Sequence, residues 1–231
     1  MSLINIFRTF RFISKVEIEA IALEILIKMQ RQPNYIPKFP LDASRVAEFL
    51  GLDLVWDTIA DDEQGAIAAR ILPLECLIEI NDNIPQLQGG FGESTIAHEI
   101  GHWVLHTDIE QVERYKRLQN TGIKLNIQPL ICRNGTHVAG IEWQAQYFAG
   151  CLLMPQYILL ELRKGKDLTK WSDLYLLADE LGVTISNLVH RLQDLGWIYL
   201  APNSRKIYLT SIQNQTKTSS KRKITTNLSS K

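Results

Sequence analysis

The stretch STIAHEIGHWVLH, residues 94–106, decides how the rest of the chain is read. Ile96, Ile100, Trp103 and Val104 recur at helical spacing, which predicts a largely buried helix that starts from Ser94 as its N-cap and runs through His106. Residues four apart on a helix lie one turn above one another, so His98 and His102 present two imidazoles on one face, at a separation one metal ion can bridge. Glu99 is rotated about 100° from His98 and reaches the open side of such a metal rather than the metal itself. The roles follow from that geometry. His98 and His102 hold Zn2+, and the Glu99 carboxylate accepts a proton from a water that the metal acidifies, then passes it towards the leaving amine of a peptide. A helix with surface histidines is the simpler alternative, but the apolar neighbours bury these side chains, and buried His and Glu need partners.

A catalytic zinc usually takes three protein ligands, and one ion per chain is expected. His106 continues the ladder, yet along a straight helix it stands about 12 Å from His98 in rise, which metal–nitrogen bonds of about 2.1 Å cannot span. His106 is therefore expected behind the ligands, as a supporting or structural residue. The better candidate is Glu142, on a separate helix within IEWQAQYFAGCLLMP, residues 141–155. Gln146 lies four residues further on and shares its face, so its amide carbonyl is expected to accept a hydrogen bond from a ligand imidazole and fix that ring. An oxyanion stabiliser is also required; His137, Tyr115 and Tyr147 are candidates, and spacing singles out none of them.

These residues carry a resemblance. H-E-[IL]-G-H with a histidine four residues on, followed by E-x-x-A-x-x-F-A-x-x-L-L-M-P, resembles the metallo-endopeptidases of the ImmA/IrrE type, over residues 40 to 200 or so. In that family the acidic residue opening the second motif is the third zinc ligand, which falls on Glu142. The family commonly has Asn where this chain has Gln146. The resemblance implies a zincin-like core and a protein substrate, a helix-turn-helix transcriptional repressor whose cleavage induces mobile-element or stress-response genes. By analogy with zincins, the segment Leu77 to Ile80 is expected to receive an extended peptide as an added strand.

Outward from the motifs, apolar residues from Lys15 to Gln32 follow a 3.6-residue period, a helix ended by Pro33 and Pro37. Asp42 or Ser44 can cap a short helix through Leu50, and Leu52 to Trp56 reads as a strand. Ala66 to Leu72 and Cys76 to Ile80 read as an antiparallel pair split by Pro73. Residues 120–140 read as a long loop, and Glu142 to Leu162 as a helix kinked at Pro155. Tyr175 to Leu195 resembles a helix-turn-helix, with 197–200 and 205–210 as its wing. Its second helix offers only His190 and Arg191 as basic groups beside Asp194, so direct DNA binding is not expected and docking to a repressor or to the core is.

The expected fold class is α+β: zincin-like helices with a small antiparallel sheet, then a helix-turn-helix or winged-like region. The expected division is an N-terminal helical segment (1–40), a metallopeptidase domain (41–165), the C-terminal helices (166–210) and a basic disordered tail (211–231). Seven of the 25 basic residues and no acidic ones lie beyond residue 203, so the remaining 18 face 25 acidic residues, a body charge of about −7. That excludes a uniformly basic nucleic-acid surface. Three scattered cysteines (Cys76, Cys132, Cys151), no signal-peptide pattern and no long apolar run point to a cytoplasmic chain without a membrane anchor. The alternative reading is a DNA-binding or interaction protein with a structural or vestigial zinc site, which would need ligands but not the base Glu99.

Overall fold

A computed structural model of the chain describes residues 4, 6–63, 65–83, 90–132, 140–202 and 204–210. Helix α1 (Lys15–Gln30) starts at Ser14, whose hydroxyl accepts from the Glu17 amide, and buries Ile18, Ala22, Ile25, Leu26 and Met29. Helix α2 (Ala43–Phe49) is capped by Asp42. Its first amide, Ala43 N–H, also donates to Glu93 at 2.8 Å, tying α2 to the start of α3 (Gly90–His106).

Between them lie β1 (Asp53–Asp57), β2 (Ala69–Leu72) and β3 (Leu77–Asn81). As the spacing suggests, β2 and β3 pair antiparallel. The sheet is not antiparallel throughout, however, because β1 runs parallel to β3 on its other side. A fourth strand, β4 (Leu130–Cys132), pairs with β2 and gives the order β1-β3-β2-β4. The segment expected as one long loop thus holds an edge strand, and the helix α4 (Ile109–Asn120), started by the cap Asp108, leads into it.

Helices α5 (Ile141–Leu153) and α6 (Gln156–Leu162) correct the expected kink: Pro155 occupies the N-cap of α6 and its fixed ring separates two helices outright. Ser94 is a second correction. The helix begins at Gly90, so Ser94 lies inside it, and its hydroxyl accepts from Asn187 Nδ2 at 2.6 Å. Helices α7 (Trp171–Glu180) and α8 (Ile185–Asp194) follow, α8 capped by Thr184, and β5 (Ile198–Leu200) pairs with β6 (Ile207–Leu209) as expected.

The architecture is mixed α+β, with small sheets of four and two strands among the described residues. One cluster of buried apolar residues runs from Ile6 on the N-terminal strap to Ile207 on β6, so all these segments share a core. Among the described residues, no helix is long and apolar enough to cross a membrane. The expected tail 211–231, His137 and the side chain of Cys132 lie outside the described residues.

Candidate metal centre

The site forms where α3 crosses α5. Both helices carry broad apolar faces: Ile96, Ala97 and Ile100 on α3 and Ala145, Phe148 and Ala149 on α5 are buried. Gly101 lets the two backbones meet, since a Cβ there would stand 3.0 Å from both the Cα and the carbonyl oxygen of Ala145. This close approach aligns the first turn of α5, which carries Glu142, with the turn of α3 between His98 and His102.

Three side chains converge as the sequence anticipates. His98 Nε2 lies 3.1 Å from Glu142 Oε2, His102 Nε2 lies 3.4 Å from Glu142 Oε1, and the two Nε2 atoms are 3.0 Å apart. Their ligand atoms all fall within 4.8 Å of one another. Two imidazole nitrogens and a carboxylate form a donor set suited to a divalent metal that accepts nitrogen and oxygen, and could hold such an ion. Glu99, the neighbour of His98, is fully buried, and neither of its carboxylate oxygens has a hydrogen-bond partner among the described residues. A buried carboxylate left without a partner is costly, so an orphaned one next to His98 fits a site that takes a metal or water.

The electrostatics of the triad are tightly coupled. Burial opposes ionisation of Glu142, but hydrogen bonds from His102 and His98 outweigh it and hold the carboxyl well below its ordinary range. Burial likewise opposes a charge on His98, and the Glu142 hydrogen bond, with Glu99, Glu142 and Gln146 adding to it, raises its pKa above the usual value. His106 differs: burial, only partly offset by Gln144, lowers it to about 4.

The residues expected behind the ligands divide. His106 stands there, with Nδ1 3.1 Å from His102 Nδ1 and Nε2 2.9 Å from Gln144 Oε1. Gln146, one turn along α5 from Glu142, adds only a minor share to the raised pKa of His98. Gln144 is the residue sequence reasoning missed: fully buried, it also donates from Nε2 to the Arg11 carbonyl at 2.9 Å. Its signal was present in the spacing, two residues from Glu142 on a helix otherwise apolar at its buried positions.

Of the oxyanion candidates, Tyr147 points elsewhere. Its hydroxyl donates to Glu19 Oε2 at 3.3 Å, beside Cys151 Sγ at 3.4 Å from the same oxygen, because Glu19 is anchored by the Arg191 guanidinium at 3.1 Å. Burial pushes the Tyr147 hydroxyl well above its usual pKa. Tyr115 lies on α4, half-buried against the core. Arg191, one of the two basic groups of the second C-terminal helix, is only 3% exposed and spends its charge on Glu19. Beside this pair, a cleft of about 420 Å³ opens between α5 and α8, lined by Trp143, Gln146, Asn187 and His190 among others. Gln146 thus borders the cleft from the same helix that carries Glu142.

Compared with protein-family models and with curated proteins, the chain matches none.

Proposed function

We propose that the chain is a zinc-dependent endopeptidase of the ImmA/IrrE type, with a zincin-like metal site on α3 and α5. The observation that carries this reading is the convergence of His98, His102 and Glu142 beside a fully buried, unpartnered Glu99. A site built only to brace the fold needs ligands but no such base.

Bound zinc would lower the pKa of a water and polarise the peptide carbonyl. His98, His102 and Glu142 would hold the ion, with His106 fixing the His102 ring from behind and Gln146 proposed to do the same for His98. Glu99 takes a proton from the attacking water and returns it to the leaving nitrogen, so the elements of water add across the C–N bond. Its burial excludes competing solvent from the carboxylate.

By resemblance, the substrate is a helix-turn-helix transcriptional repressor, cleaved inside the cell to induce mobile-element or stress-response genes. The C-terminal helices would serve docking rather than DNA reading, which the burial of Arg191 supports. The test is incubation of the zinc-loaded chain with the repressor encoded beside its gene, with and without a chelator. Cleavage that stops with chelator and falls about 10²–10⁴-fold in Glu99→Gln is expected. A repressor left intact under every metal condition would refute the proposed substrate, and equal cleavage by Glu99→Gln would refute the mechanism.

A further inference from the structure

An unbroken line of hydrogen bonds joins the backbone of the N-terminal strap to the ring of His102. The strap, residues 6–14, is pinned beside the site at several points. Asp108 N–H donates to the Ile6 carbonyl at 3.0 Å and Arg8 N–H to the His106 carbonyl at 2.7 Å. The Phe12 ring stacks on Trp143 with centroids 6.3 Å apart, and a Cβ on Gly140 would stand 2.8 Å from the Phe10 ring. At Arg11 the strap presents a carbonyl to Gln144.

Each link dictates the next. A carbonyl can only accept, so the atom facing Arg11 O at 2.9 Å is the amide nitrogen of Gln144. The Gln144 oxygen then faces His106 Nε2 at 2.9 Å and can only accept, so that nitrogen carries the proton. In the neutral ring this leaves His106 Nδ1 a lone pair, 3.1 Å from His102 Nδ1, which must donate. His102 thus keeps a proton on Nδ1 whether or not Nε2 shares one with Glu142, and Nε2, the atom that faces His98 and Glu142, is the nitrogen left for a metal. Reversing any link would set two donors or two acceptors against each other in a buried place.

We propose that Gln144 and His106 are positioning residues that transmit the polarity of the Arg11 carbonyl to His102, locking it as the Nδ1–H tautomer with Nε2 presented to a metal. This rests on the metal-site reading above, and it makes the N-terminal strap part of that site, although the strap contributes no ligand.

The tautomers can be read directly in metal-free, ¹⁵N-histidine-labelled full-length protein by long-range ¹H–¹⁵N correlation. His102 is expected protonated on Nδ1 and His106 on Nε2. In Gln144→Leu the His106 and His102 rings should become tautomer mixtures, and the zinc dissociation constant, from competition with a chromophoric chelator, should rise about 10–100-fold. Because the wild-type spectrum is decisive alone, the idea stands or falls even if that variant folds poorly. His102 without a proton on Nδ1 in the wild type, or a folded Gln144→Leu chain that binds zinc as tightly as wild type, would overturn it. Expected tautomers in a chain that binds no zinc would instead overturn the metal reading on which it rests.

Discussion

Gly101 meets Ala145 so closely that the α3 and α5 backbones touch with no side chain between them, and a Cβ on Gly101 would also press on Phe148 Cδ1 at 3.1 Å. The glycine one residue before His102 therefore sets the distance across which Glu142 reaches both histidines. Gly101→Ala should force the helices apart. A loss of about 1–3 kcal/mol in stability, from denaturant midpoints, is expected for overpacking at a rigid contact. Zinc affinity should fall with it, because the ligand atoms separate. Wild-type stability and affinity together in this variant would show that the contact does not set the site.

The local part of the site was legible in the sequence, and the long-range part was not. His98 and His102 are one helical turn apart, so their shared face follows from period alone. Glu142 came from a second motif and a resemblance. Gln144 was passed over because what buries it is the strap around Arg11, 133 residues away, for which no local pattern exists. Ser94 was misplaced for the opposite reason: a good capping residue is also tolerated inside a helix, and Gly90 to Glu93 extend α3 beyond it. The parallel β1–β3 pairing depends on topology rather than on strand composition.

The Glu19–Arg191 pair spans 172 residues and joins α1 to α8. Glu19→Gln leaves the buried guanidinium without its counter-charge. Destabilisation of about 3 kcal/mol is expected, the low end for a broken buried pair, since the Glu19 side chain is 28% exposed. Thermal or urea unfolding measures it, and a change under about 0.5 kcal/mol, the level of an ordinary surface substitution, would show the pair to be unimportant.

That pair also predicts an acid response. Burial opposes ionisation of Glu19, but hydrogen bonding and the charge of Arg191 overcome it, so the folded pKa lies below the ordinary 4.5. The unfolded chain then takes up a proton first. The stability Glu19 contributes is complete above about pH 4.5 and is lost as pH falls through the folded value. Below pH 4.5, wild type should lose stability more steeply than Glu19→Gln; parallel curves would contradict this.

Zinc binding should depend on pH through His98, whose pKa is raised above 6.5 in the metal-free protein despite its burial, chiefly by Glu142. The ion requires the neutral ring, so protons compete with it. Apparent affinity should fall about tenfold per pH unit once the pH is below that pKa, so the fall begins above the pH at which a free imidazole would compete. Chelator competition between pH 7.5 and 5.5 reads this, and a flat profile would exclude His98 as a ligand.

If His98, His102 and Glu142 together hold one zinc ion, the purified protein should carry it. The most direct test is the metal content of purified protein by elemental analysis, compared across wild type, Glu142→Ala, Glu99→Gln and His106→Ala. About one zinc per chain is expected in wild type and Glu99→Gln, most of it retained in His106→Ala and nearly all of it lost in Glu142→Ala. Equal zinc in Glu142→Ala and His106→Ala, or none in the wild type, would rule out this ligand set.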